Sequence, residues 1–136
     1  MFVRGAKAII LDSNKNVLIV RRSKTHPHAP LTNDLPGGKI EEGETMVQGL
    51  VREIQEEVGI DVRDDTPKLI DSKKVQNSFN KNYEVELYEI VLSNRPSITL
   101  SFEHDKYEWV PIKEATIIAE LFEDIFEVYK STQNIN

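Results

Sequence analysis

The chain has 136 residues, 17 Lys and Arg against 23 Asp and Glu, a net charge of −6 and no cysteine. A chain of this length buries about two thirds of its unfolded surface, which suffices for a core without cross-links; zero Cys excludes disulfides, Cys-ligated zinc or iron–sulfur centres and thiol nucleophiles. The acidic balance excludes passive binding of duplex nucleic acid, and no apolar run approaches the ~18 residues of a membrane helix. The start, Met1-Phe2-Val3-Arg4-Gly5, lacks the pattern of a secretory signal. The expectation is therefore one cytoplasmic domain over residues 1–136, with no membrane partner.

In chain order, residues 3–11 read as a strand with Ala6, Ala8 and Ile10 on one face. A second strand over 17–20 follows the turn-forming Asp12-Ser13-Asn14-Lys15-Asn16, which makes a hairpin. Residues 23–34, with two prolines and two histidines, read as a loop that ends at Leu35-Pro36-Gly37-Gly38. The strongest helical pattern opens at Glu44-Thr45 and runs to Val58, with Thr45 as N-cap and Gly59 as stop signal. Val47, Leu50, Val51, Ile54 and Val58 form its apolar stripe.

Strands are predicted near 68–75, over 83–92 (Val85 and Leu87 alternating with Glu84 and Glu86), around 98–100 and at 109–111. A second helix is predicted from about 113 to 130, with Ile117, Ile118, Leu121, Ile125 and Val128 as its apolar face. The order of elements predicts an α/β (α+β) fold, a mixed sheet with a helix on each side.

Charge is unevenly distributed. Residues 1–36 carry six basic and two acidic side chains, residues 37–60 two basic and six acidic. Within the acidic block Glu53, Glu56 and Glu57 stand at i, i+3 and i+4 on one helix face, away from the apolar stripe. Like charges so spaced destabilise a helix by about 0.2–0.5 kcal/mol per pair. Two readings are open at this point: a solvated charged face, or a site where a hard cation such as Mg²⁺, Mn²⁺ or Ca²⁺ removes the repulsion. Pro36-Gly37-Gly38 lets the backbone turn sharply and approach such a site, although a PGG taken alone is simply a turn.

The run Gly38-x5-Glu44-x7-Arg52-Glu53-Ile54-x-Glu56-Glu57-x-Gly59-Ile60 resembles the Nudix box at every defined position, over 23 residues. The resemblance implies an α/β/α sandwich around a mixed β-sheet, and metal-dependent cleavage of a nucleoside diphosphate linked to another moiety. It implies Glu53, Glu56 and Glu57 as metal ligands with the backbone carbonyl of Gly37 or Gly38, Mg²⁺ as the ion and Mn²⁺ as a substitute. Arg52 resembles the arginine that orients a glutamate, and Glu44 the glutamate that joins the metal–water network. The general base implied is a glutamate on a loop outside the box or, as in other members, a box glutamate such as Glu53; among the loop acids Glu103 is favoured over Asp105 and Glu108 because Glu-His…Tyr-x-Trp-Val resembles the loop of small members. His104 is read as a loop cap, with substrate contact as the alternative, and Trp109 as core rather than a base-stacking platform.

Arg21-Arg22, with Lys39 after the glycines, also resembles the MutT-type nucleoside triphosphate pyrophosphohydrolases. That implies Arg21 or Arg22 and Lys39 as substrate contacts, and Asn33 near the base pocket. The substrate expected is a nucleoside triphosphate, canonical or oxidised, cleaved to monophosphate and pyrophosphate. The alternatives are a dinucleoside polyphosphate, a capped RNA, ADP-ribose or another nucleotide sugar, or a nucleotide-sensing module without catalysis. Monomer and homodimer are both open.

Overall fold

Alternation along the first strand decides the layers. The computed structural model describes residues 2–76 and 79–133. In β1 (Phe2–Leu11), Ala6, Ala8 and Ile10 face one core cluster while Ile9 and Leu11 face the other. A strand covered on both faces reads as a nearly continuous apolar run, as Ala8-Ile9-Ile10-Leu11 does. One cluster packs these residues against α1 (Met46–Val58) through Leu50, Ile54 and Val58. The other packs them against α2 (Glu123–Thr132) through Ile125, Phe126 and Tyr129. The expected sandwich, with a mixed sheet between helices, is present.

The other strands are β2 (Asn16–Arg22), β3 (Asn33–Asp34), β4 (Gly37–Lys39), β5 (Lys68–Gln76), β6 (Asn82–Val91) and β7 (His104–Pro111). β1 runs parallel to β6 over its full length, and β5 adds antiparallel to β6. Against β2 it makes a single registered pair, Leu11↔Val17, and at its other end it takes β4 instead, Gly5↔Lys39 to Lys7↔Gly37. β2 pairs with β3 and β7. The sheet thus splits where β1 leaves β2, and the cleft of interest opens at that split.

Helix α1 has the ends expected of it. Thr45 accepts from the Gln48 N–H (3.1 Å) and Gln48 accepts from the Thr45 N–H (2.9 Å), a reciprocal capping box, and Gly59 closes the helix at φ 73°.

Two predicted elements are corrected. Residues 98–100 form no strand; the segment lies along the end of α1, where the Thr99 N–H donates to the Val58 carbonyl (2.9 Å) and the Ser101 N–H to the Glu57 carbonyl (3.0 Å). It satisfies helix-end acceptors that have no intrahelical partner. The second helix starts at Glu123, not near 113. After a 3-10 turn at Ile112–Glu114, residues 115–122 are irregular. The β-branched run Thr116-Ile117-Ile118 disfavours helix, and its peptides are taken by tertiary bonds. The Ile118 N–H donates to Asn33 O (2.8 Å), and Ile118 O accepts from Arg22 (2.7 Å). Ile118 and Val128 are consequently exposed, and Phe122, Ile125, Phe126 and Tyr129 supply the apolar contacts.

Candidate active site

Strand β4 divides its peptide groups between two neighbours. Pro36 O accepts from the Ala8 N–H and the Ile40 N–H donates to Arg4 O, both at 2.9 Å, so alternate positions bond to β1. The intervening positions face α1: the Gly37 N–H donates to Glu57 Oε1 (3.2 Å), and Lys39 O accepts from Arg52 (3.0 Å). Close approach explains both glycines. Gly37 has φ +137°, and a Cβ there would stand 2.2 Å from Ala6 O; a Cβ on Gly38 would stand 2.8 Å from the Glu53 carboxyl carbon.

On α1, Arg52 organises the acids. Its guanidinium grips Glu44 with two bonds (2.8 and 3.0 Å) and donates to Glu53 (3.1 Å) and Glu56 (3.2 Å). The Arg52 bonds and the Glu41 N–H hold the Glu44 carboxyl down to about 2, and Glu44 in turn raises Arg52 above its ordinary range. Glu53 and Glu57 are shifted the other way. Burial pushes Glu53 up, and pushes Glu57, whose exposure is only 6%, well above the usual carboxylate range. The nearby Lys7 charge and the Gly37 N–H oppose that rise at Glu57 without cancelling it.

The cleft has a volume of about 830 Å³, and its lining includes Glu53, Glu57, Gly37, Gly38, Lys39, Lys7, Arg22, Asp34, His26, Glu103 and His104. Opposite the glutamates, Asp34 Oδ2 accepts from both Lys7 (2.9 Å) and Arg22 (2.8 Å), while Asp34 Oδ1 accepts from the Leu35 N–H (2.8 Å). Arg22 also donates to Thr32 (2.9 Å). Two cations on one carboxylate leave this wall with a net positive charge. The charge distribution places a cationic element before residue 37 but does not single out Lys7 or Asp34; a lone Lys within the apolar strand 6–11 is the signal that could have pointed to Lys7, and Asp34 has none.

The other expected site residues divide between the cleft and its outside. Glu103 lines the cleft, whereas Asp105 forms a bidentate pair with Arg21 (2.8 and 2.9 Å) outside the lining, and Glu108 sits exposed on β7. Of the two arginines, Arg22 is therefore the one at the cleft. Asn33 lies by a separate depression of about 270 Å³ with Leu31 and Ile118. Glu56 is 58% exposed at its side chain, beside Arg52 and outside the cleft lining. Trp109 packs on the α1-side core with Arg95 over its ring.

His104, read from sequence as a loop cap, is a buried cleft residue, 6% exposed, whose Nδ1 has no hydrogen-bond partner among the described residues. Burial first, then the charges of Lys7, His26 and Arg22, lower it to about 4, against the opposing effect of Asp34. A base depressed in the folded state contributes stability that is complete above the unfolded value near 6.5 and is lost as pH falls through 4. The protein should therefore lose about 2 kcal/mol of stability between pH 7 and 4 from this group, after allowance for solvent screening. His104→Gln should flatten that limb in thermal unfolding followed across the same range.

Among the described residues, no three His, Asp or Glu side chains stand together as a ready-made cation cage. The residues nevertheless fit a hard divalent ion. Glu53 and Glu57 are acceptor-only oxygen donors when ionised, burial holds both above their ordinary range so that a further cation would favour their charged forms, and they face the peptide groups at Gly37 and Gly38.

The NUDIX domain model matches residues 1–131. The 8-oxo-dGTP diphosphatase of Proteus vulgaris is 46% identical over 57 residues, 42% of this chain and 50% of that protein. The 8-oxo-dGTP diphosphatase of Escherichia coli K12 is 49% identical over 55 residues, 40% and 42% of the two chains. The matched segments thus span half or less of these curated relatives. Among solved structures, the MutT protein from Methanosarcina mazei Go1 superposes with a TM-score of 0.78 at 25% identity, covering 96% of this chain and 94% of that one. The E. coli dihydroneopterin triphosphate pyrophosphohydrolase superposes with a TM-score of 0.74 at 21% identity, covering 98% and 99%, a likeness of fold alone.

Proposed function

The chain belongs to the NUDIX family, and on that footing we propose that it is a Mg²⁺-dependent pyrophosphohydrolase, with Mn²⁺ as a substitute ion, that cleaves a nucleoside triphosphate, canonical or oxidised, to nucleoside monophosphate and pyrophosphate. One observation carries the reading: two carboxylates on α1, Glu57 buried and Glu53 half-buried, face the Gly37-Gly38 peptide in a cleft whose opposite wall is cationic. Two relatives named 8-oxo-dGTP diphosphatase favour the triphosphate over the other substrates.

Glu53, Glu57 and the Gly37 carbonyl are the proposed holders of the ion, with Glu56 joining from the rim. Gly37 is preferred to Gly38 because its neighbouring N–H already faces α1. When bound, the ion supplies neutralisation of phosphate charge and activation of water. Arg52 and Glu44 keep Glu53 in place, as their mutual bonds already do. Lys39 and the Lys7–Arg22 wall attract the polyphosphate, and Glu103 accepts the proton of the attacking water.

The test is a product assay with dGTP, 8-oxo-dGTP, diadenosine polyphosphates and ADP-ribose at saturating Mg²⁺ and Mn²⁺. Monophosphate plus pyrophosphate from a triphosphate is the expected outcome, with Glu103→Gln slower by about 100-fold or more and Asp105→Asn close to wild type. Nucleotide binding without any product would establish the sensing-module alternative instead.

A further inference from the structure

We propose that His26 is a positioning residue whose imidazole holds the Glu103 carboxylate in the orientation needed to accept a proton; the proposal rests on the reading of Glu103 as the base. His26 and Glu103 line the same cleft although 77 positions separate them in the chain. The Nδ1 of His26 accepts a hydrogen bond from the His28 N–H at 3.0 Å. That bond places the ring proton on Nε2, and Nε2 faces Glu103 Oε2 at 4.0 Å. Among the described residues, His26 is the one basic side chain that near to this carboxylate.

The backbone brings the two residues together independently of the side chains. The Ser23 N–H donates to Glu103 O (2.9 Å) and the His26 N–H donates to Ser23 O (3.1 Å), so the turn carrying His26 is bonded to the residue that its ring faces. Pro27 restricts the His26 backbone to extended conformations. The ring is backed by buried His104, with centroids 6.2 Å apart, and the His26 side chain is only 15% exposed. A ring fixed at its other nitrogen, its backbone and one face has little freedom left, and a carboxylate on an exposed loop gains its orientation from such a neighbour. A separation of 4.0 Å is longer than a hydrogen bond, and contacts of this kind tighten when substrate closes the site.

The experiment is a double-mutant cycle on the full chain, with dGTP or 8-oxo-dGTP, whichever turns over faster, at saturating Mg²⁺. His26→Asn keeps the acceptor for the His28 N–H and removes the Nε2 donor; His26→Gln extends an N–H to that place. His26→Asn should lower kcat about tenfold with KM within twofold, and His26→Gln should recover most of the loss. In the Glu103→Gln background, His26→Asn should cost nothing further, because its effect passes through Glu103.

Equal losses in both backgrounds, or wild-type rates for His26→Asn, would overturn the proposal while leaving Glu103 as base. Full activity of Glu103→Gln would remove the base assignment itself, and the positioning role with it. If neither triphosphate is hydrolysed, the proposed reaction and this role both fall. Should His26→Asn unfold, His26→Ala takes its place in the cycle, and additive losses at positions 26 and 103 are the overturning result.

Discussion

Glu57→Gln should lose roughly 1,000-fold or more in kcat, about 4 kcal/mol of transition-state stabilisation, while its metal-free thermal midpoint stays level or rises by roughly 3–5 °C. The two effects have one cause. Glu57 is enclosed on α1 with Glu53 and Asp34 as charged neighbours, and ionising it in the folded protein is unfavourable. A glutamine fills the same space, still accepts from the Gly37 N–H and carries no charge to bury. A carboxyl raised in the folded state contributes stability that is complete below the ordinary value near 4.5 and is lost as pH climbs through the folded value. Metal-free wild type should therefore weaken as pH rises from about 4.5, and the variant should show a shallower slope. Added Mg²⁺ should stabilise wild type increasingly with pH and the variant little, as thermal shift with and without EDTA will show. A large metal-free loss of stability in the variant would instead mean that the cluster is structural.

Asp34→Ala should destabilise the fold by about 3–5 kcal/mol, because it leaves two cations without their anion inside the protein. The side chains of Lys7 and Arg22 are only 13% and 9% exposed. The Leu35 N–H loses its acceptor as well. For a chain of this size the midpoint should fall by roughly 10–20 °C. Lys7→Met is the informative contrast. It leaves Asp34 and Arg22 as a one-to-one pair and should cost about 1 kcal/mol or less, although it weakens the positive wall that faces the polyphosphate. Urea unfolding of both variants against wild type checks the asymmetry; equal losses would show that Asp34 acts by packing rather than by charge.

The parts of the fold that were legible in the sequence are those governed by local rules. Thr45 and Gly59 mark α1 at both ends, and the alternation around Ala6, Ala8 and Ile10 identifies a strand and its faces. The segment 115–122 does not follow the helical spacing of its apolar residues because the N–H and C=O of Ile118 bond to Asn33 and Arg22, partners 85 and 96 positions away. The same holds for 98–100, whose alternation suits a strand but whose N–H groups close the end of α1.

In the candidate site, spacing alone puts Glu53, Glu56 and Glu57 on one face of α1. It does not reveal that Arg52 holds Glu56 at the rim while the other two lie in the cleft. Nor does it choose between Arg21 and Arg22, which alternation sends to opposite sides; their partners, Asp105 for Arg21 and Asp34 for Arg22, decide which one reaches the cleft. The Asp34–Lys7–Arg22 wall joins three strands and has no local signature beyond a single Lys in an apolar run.

The parallel pairing of β1 with β6 bears on how the chain reaches this structure. Its ten registered pairs each join residues about eighty positions apart, and contacts of such long range form slowly because a large loop must close first. During synthesis at ~5–20 residues per second, the central strand waits on the order of 4–16 seconds for its partner to be made. Helix α1 is complete well before then, so Ala6, Ala8 and Ile10 have their covering layer early, whereas Ile9 and Leu11, on the other face, wait for α2. In that interval the unpaired edge of β1 is the segment most open to the wrong strand.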